Sequence, residues 1–182
     1  MVVFIHYFEK DIDIAFFSIL LLGFAIFEWA RMQDNKISDL TRRYFRRFMR
    51  THEDRKTFNF RALTGSFYFI LSVLICLILF DKPTVMTAVL IMILSDTAAA
   101  LIGKSIGRHV IIGTSKTIEG SSAFFIVTVL ILFLMHPAIT ILWAGAIAGI
   151  LTIVELWSHK LRINDNLSIT LAAGALLTVL PF

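Results

Sequence analysis

Polar residues vanish from this chain for long stretches and then return in bunches. Five apolar runs reach the length of a membrane-spanning helix, over residues 12–32, 62–80, 84–103, 118–136 and 137–158; crossing the hydrocarbon takes roughly 20 mostly apolar residues. A sixth and shorter run covers 167–182. Asp81-Lys82-Pro83 and His136-Pro137 mark tight breaks between neighbouring runs, because proline cannot continue the preceding helix and restrains the residue before it. The pattern predicts an all-α polytopic membrane protein of about six transmembrane helices, folded as a single integral membrane domain over 1–182, with no repeat and no Gly/Ser-rich or Pro-rich linker. The first run is read as a retained helix: Asp11 and Asp13 precede it, and Glu28, Trp29 and Arg31 stand where a signal peptide would carry small residues.

Between the first two runs a different periodicity appears. Ile37, Leu40, Tyr44, Phe45 and Phe48 recur at three- and four-residue spacing, with Arg42, Arg43, Arg46, Arg47 and Arg50 on the other side. This predicts a basic interfacial helix, its arginines at anionic lipid headgroups; a simple topology anchor accounts for the same pattern.

Composition agrees with the runs: 58% of residues are hydrophobic and 16% charged, more apolar and less charged than soluble domains. Charge then orients the chain. With the N-terminus outside, the loops 31–61, 104–117 and 159–166 hold 15 of the 17 Lys and Arg residues, leaving Lys10 and Lys82 outside. The positive-inside rule makes those three loops cytoplasmic. It also explains the net charge of +4 without any nucleic acid, and directs attention to anionic lipid and anionic substrate. Cys76 is alone in an apolar run and implies neither a disulfide framework nor a metal site. The histidines, His6, His52, His109, His136 and His159, share no ligand spacing on a helix face.

Ionisable groups inside spans are costly, and each is a functional hypothesis. Glu28, Arg31, Arg61, Asp96, Glu119 and Glu155 all fall toward the cytoplasmic ends of their runs, so several helices can deliver them to one inward-opening cavity. Glu28 beside Arg31, and Glu119 at a helix start, also have purely structural explanations. Asp96 has no basic residue within a turn in its sequence, and a metal ion is the simplest partner from elsewhere. Next comes Gly103-Lys104-Ser-Ile-Gly107, followed by Gly113-Thr-Ser115-Lys116-Thr117-Ile-Glu119-Gly120-Ser-Ser. Glycines, hydroxyls and lysines interleave before a helix N-terminus, a setting that favours polyphosphate, although the spacing is not that of a Walker A loop. The small residues Ala99, Ala100, Gly103 and Gly107 admit a neighbouring backbone or a ligand. Asn164, Asp165 and Asn166 open the last run; one of them suffices as a helix cap, and the others leave oxygen ligands for Mg²⁺.

Three ordered segments, Ser95-Asp-Thr-Ala-Ala-Ala-Leu-Ile-Gly-Lys-Ser-Ile-Gly107, Ser115-Lys-Thr-Ile-Glu-Gly-Ser121 and Asn164-Asp-Asn-Leu167, resemble the CTP-dependent lipid kinases: dolichol kinase, phytol kinase and the CTP-type diacylglycerol kinase. These are distant relatives of phosphatidate cytidylyltransferase. The likeness extends weakly to residues 61–68 and to Glu28 with Arg31. One departure is that Asn164 holds the first place of a motif that usually carries two adjacent acids. The resemblance implies a kinase that moves the γ-phosphate of CTP to a membrane lipid alcohol (a polyprenol, a phytol-like alcohol or diacylglycerol) at the cytoplasmic face. Mg²⁺ on Asp96 and Asp165 would bridge the phosphates, and Lys104 and Lys116 would neutralise developing charge. Gly103, Gly107, Ser115, Thr117 and Gly120 would line the nucleotide, Glu119 would orient a ligand or act as base, and Glu28, Arg31, Arg61, Glu155 and Asn166 would support the site.

Three rivals remain. A cytidylyltransferase making a CDP-lipid is the first, although its His-Gly-Gly and Asp-Arg-x-Asp signatures are absent from this chain. A small cation transporter would spread polar residues across the bilayer, and a structural subunit leaves the lysine- and glycine-rich loop beside Asp96 unexplained. An oligomer is compatible with the pattern.

Overall fold

The computed structural model describes residues 1–32, 63–114, 116–161 and 164–179. The interfacial helix expected at 37–50, Arg61 and Ser115 lie outside the described residues, as does the side chain of Arg31. The protein is all-α. The elements are α1 (Val2–Tyr7), α2 (Lys10–Met32), α3 (Gly65–Leu79), α4 (Lys82–Leu90), a π-helical turn (Ile91–Ser95), α5 (Asp96–Ser105), α6 (Ile118–Met135), α7 (Ile141–Leu161) and α8 (Asp165–Val179). α4, the π turn and α5 run on as one helix, Lys82–Ser105.

Four helices, Lys10–Ala30, Lys82–Ser105, Ile118–Met135 and Ile141–Ser158, are long and apolar enough to cross a membrane. Two further helices, α3 and α8, are apolar and 15 residues long among the described residues, below the roughly 20 that ordinarily span hydrocarbon, so four of the about six expected spans are shown. Two starts also move. The fifth run begins at Ile141 rather than Pro137, since a turn (Ile139 N–H to His136 O, 2.9 Å) comes first and Thr140 then takes the Trp143 and Ala144 N–H groups. The sixth begins at Asp165, behind Asn164. Leu22, Ile26, Leu134 and Leu142 stand exposed on the outer helix faces. Apolar faces with no protein against them suit lipid as the surrounding medium, so this is an integral membrane protein.

Two apolar clusters hold the helices. Ile5, Phe17, Val73, Cys76, Leu77 and Val85 join α1 to α4, while Ile91, Phe124, Leu132, Ile147, Leu151 and Ile169 join the second half. At one end Lys82, which begins α4, reaches both the Phe8 carbonyl and the buried Asp13 carboxylate (3.5 Å to the latter). At the same end the Thr87 hydroxyl donates to Pro83 O and lies 3.1 Å from His136 Nε2. Burial lowers the His136 pKa below its ordinary 6.5, against the pull of Asp81. Near pH 6 the folded state therefore binds fewer protons here than the unfolded state, so this contribution to stability is full above about 6.5 and is lost as pH falls through the lowered value. Thermal unfolding in detergent is expected to show a midpoint that drops between pH 7.5 and 5, with a smaller drop in His136→Gln.

At the opposite end α5 and α6 approach with almost nothing between them. A Cβ on Gly120 would stand 2.9 Å from Ala99 O and 3.3 Å from Gly103 Cα, and one on Gly107 would stand 2.2 Å from Gly103 O. These neighbours are backbone and cannot swing aside. Gly120→Ala is expected to cost about 1–3 kcal/mol by overpacking, read as a lower unfolding midpoint with membrane insertion unchanged.

Candidate functional site

The end of the bundle away from Lys82 gathers the end of α2, the start of α3, the end of α5, the 106–117 loop, the start of α6, the end of α7 and the start of α8. The loop is a tight hairpin. Val110 and Thr117 form an isolated antiparallel bridge, Ile111 N–H donates to Lys116 O (2.9 Å), and Ile118 N–H donates to His109 O (2.9 Å). Thr114 N–H closes the turn on Ile111 O (3.0 Å), with Gly113 at φ +82°, a left-handed conformation that costs glycine nothing. Lys116 leaves this hairpin beside α7.

There its ammonium meets Glu155. Nζ pairs with Glu155 Oε1 and also donates to the Glu155 carbonyl at 3.0 Å. Glu155 is 2% exposed, and its carboxylate Oε2 has no hydrogen-bond partner among the described residues. Asp96 on α5 and Asp165 on α8 both stand close enough for their negative charges to act on Glu155. Four groups drawn from three helices and one hairpin thus share one field, three of them acidic and one basic. The π-helical turn leads directly into Asp96. Such a turn advances the helix by an extra residue and so resets which way the following side chains face. Ser95, in that turn, accepts a buried hydrogen bond from Thr128 of α6 at 3.0 Å.

The remaining sequence candidates divide. Asp96, Lys116, Glu155 and Asp165 come together. Lys104 is exposed and, among the described residues, forms no ion pair. Glu119 turns instead to His109, taking its ring Nδ1 at 2.7 Å and its backbone N–H at 3.3 Å. Thr117 caps α6 through the Gly120 N–H (3.2 Å). Of the two occupants that a small-residue face admits, Gly103 and Gly120 receive the neighbouring helix, while Gly107, past the end of α5, packs on the Gly103 carbonyl and the Thr117 side chain. Asn164 Oδ1 accepts from Asn166 N–H (3.0 Å), and Asn166 Nδ2 donates to Gly65 O (2.8 Å), tying α8 to the start of α3. Glu28 is buried and accepts from Thr64 N–H (3.0 Å), which holds the end of α2 against the start of α3. Sequence reasoning missed the Lys116–Glu155 pair, whose partners are 39 residues apart, along with the π turn and the Ser95–Thr128 bond. For the ion pair the one signal present was Glu155 as the lone acid of its apolar run.

Among the described residues no three His, Cys, Asp or Glu side chains stand close enough to form a ligand set for one ion. Mg²⁺, however, is usually held through one or two carboxylates, with waters and substrate phosphates completing its shell. Asp96 and Asp165, the two acids whose charges act on Glu155, are carboxylates of that kind.

No family model and no solved structure matches the chain. It is 33% identical over 184 residues to the uncharacterized protein RP860 of Rickettsia prowazekii, covering 97% of this chain and 87% of that protein. It is also 38% identical over 104 residues to the uncharacterized protein MJ1137 of Methanocaldococcus jannaschii, covering 57% of this chain and 52% of that one.

Proposed function

The chain belongs to one family with the Rickettsia prowazekii protein, and on that premise we propose that it is a CTP-dependent kinase that phosphorylates a membrane lipid alcohol at the cytoplasmic face. The observation that carries the reading is the meeting of Asp96, Asp165 and the Lys116–Glu155 pair at one end of a bundle of apolar helices. The choice of CTP rests on the likeness of residues 95–107, 115–121 and 164–167 to the CTP-dependent lipid kinases.

In this reading α3 and α8 also cross, as short spans, and the N-terminus is outside. The site end then faces the cytoplasm, where nucleotide is available, and the exposed Trp29 and Trp157 lie at the inner interface. Asp96 and Asp165 would hold Mg²⁺, which supplies charge neutralisation to the nucleotide's phosphates when bound. Lys104, exposed at the end of α5, meets the incoming phosphates. Lys116 is held in place by Glu155, so its ammonium is already oriented when charge develops on the transferred group. The lipid hydroxyl oxygen attacks the γ-phosphorus. A new O–P bond forms as the bond from the γ-phosphorus to its bridging oxygen breaks, CDP leaves, and the hydroxyl proton passes to a carboxylate of the cluster.

The test uses purified protein in mixed micelles with Mg²⁺, a panel of lipid alcohols and phosphatidate, and CTP labelled at either the α- or the γ-phosphate. γ-Label in the lipid is expected. α-Label would make the protein a cytidylyltransferase, and label in neither form would turn attention to transport or a structural role.

A further inference from the structure

The long helix Lys82–Ser105 changes pitch immediately before Asp96. Its first part, α4, is ordinary α-helix; the π-helical turn Ile91–Ser95 follows, and α5 opens on Asp96. A π turn accommodates one extra residue. With α4 held fixed and the turn relaxed to α-helix, every later side chain would move on by one place, about 100° around the axis and ~1.5 Å along it. Asp96 would then stand where Thr97 now stands, on an exposed face. With the turn in place Asp96 is half-buried, and its charge acts on Glu155. The turn therefore decides whether the carboxylate joins the cluster or leaves it.

Two contacts with α6 bear on the turn. At its own level the Thr128 hydroxyl donates to Ser95 Oγ at 3.0 Å, with both residues fully buried. Toward the loop, Gly120 lies against the Ala99 carbonyl and Gly103 Cα. Ser95 precedes Gly103 by eight residues and Thr128 follows Gly120 by eight, so the two contacts share one antiparallel register, ~12 Å apart. Ala99 and Phe124, midway between them, belong to one buried cluster. The line of α5 turned to α6 is thus Ser95, Ala99 and Gly103, and Asp96 lies one residue off it. The glycine contact acts by shape at the far end of α5. The hydroxyl bond is directional and adjoins Asp96. If the turn relaxed, Leu94 would take the place of Ser95 and the Thr128 hydroxyl would lose that acceptor, a cost that falls on the relaxed form alone.

We propose that Thr128 is a positioning residue of the charged site: by holding Ser95 it keeps the π-helical turn in place, and with it the Asp96 carboxylate on the side of Glu155 and Asp165. The use of that carboxylate in phosphoryl transfer rests on the kinase reading; its placement does not.

Placement is measured on the full-length protein in detergent micelles, without nucleotide or metal. Asp96→Cys serves as reporter in a Cys76→Ala background that removes the one native thiol, and a charged, water-soluble methanethiosulfonate is the reagent. Thr128→Val, which keeps the volume and loses the hydroxyl, is expected to slow modification of position 96 at least about tenfold, the scale on which partners that orient a ligand act. Thr128→Ser should restore the rate. Ser95→Ala should match Thr128→Val, and the two together should be no worse than either, as one shared bond requires. Bonds between membrane helices contribute modestly to stability, so the unfolding midpoint should fall by only about 2–4 °C. An unreactive position 96 in the chain with Thr128 intact, an undiminished rate in Thr128→Val, or a loss that Thr128→Ser does not repair would overturn the proposal. γ-Phosphate transfer from CTP is measured in the same variants with Asp96 intact; kcat is expected to fall about tenfold in Thr128→Val, with the lipid KM unchanged, and to recover in Thr128→Ser. The labelling result without transfer in the unaltered protein keeps the positioning role and sinks the kinase, whereas full transfer in Thr128→Val keeps the kinase and sinks the positioning role.

Discussion

Asp96→Asn is expected to reduce γ-phosphate transfer from CTP to the lipid by at least about a hundredfold, the scale of removing one group that stabilises transition-state charge, while the protein stays folded and inserted. The separation of activity from stability follows from charge. Asp96 is half-buried, and its negative charge bears on Glu155, as does that of Asp165. Replacing it with the isosteric amide removes its negative charge from the field on Glu155 while keeping the size and shape of the side chain. What disappears is a hard anionic oxygen ligand, which an amide replaces poorly. Label transfer and thermal unfolding of the same detergent-purified samples decide the matter. Full activity would remove Asp96 from the site, and collapse of the fold would make its role structural.

The second large effect concerns the Lys116–Glu155 pair, and there stability itself should change. Removing one partner of a buried ion pair typically costs about 3–5 kcal/mol, because the other charge is left uncompensated. The two halves are unequally buried, Lys116 being 20% exposed and the Glu155 side chain 3%. Lys116→Met strands a carboxylate among two other acids, with one oxygen already lacking a partner, and is expected at the upper end of that range. Glu155→Gln leaves an ammonium with some path to solvent, and is expected at the lower end. The double variant Lys116→Met/Glu155→Leu should recover most of the lost stability, since a buried pair exchanged for apolar groups is often neutral, yet stay inactive. Equilibrium unfolding of the three variants measures the coupling. Strictly additive losses would mean that the pair does not act as a unit.

The comparison of sequence with structure explains why some of this was legible. Inside a bilayer each span must satisfy its own backbone and present apolar side chains throughout, so hydropathy alone located six helices, four of them within three residues at both ends: 12–32 against Lys10–Met32, 62–80 against Gly65–Leu79, 84–103 against Lys82–Ser105, and 118–136 against Ile118–Met135. Length was less legible at α3, where the apolar run 62–80 passes the last helical residue, Leu79, while the end of the run 167–182 lies outside the described residues. The start of α7 lies past the Pro137 that the apolar run gives, because Thr140 supplies the cap. Short α1, packed through Ile5 against the first cluster, gives no signal of its own at six residues.

Sequence by itself determined that this is an all-α membrane protein, and it put forward Asp96, Lys116, Glu119 and Asp165 as the groups to follow, with Glu155 in support. Tertiary structure decided who meets whom. It gave Lys116 to Glu155 across 39 residues of chain, turned Glu119 to His109, and used Gly103 and Gly120 to bring α5 against α6. The physical reason is that burial in a membrane is a property of each segment's own side chains, written locally. Pairing depends on which faces of the helices are turned together, and that is set by close contacts at glycine and by a π-helical turn whose effect no local pattern records.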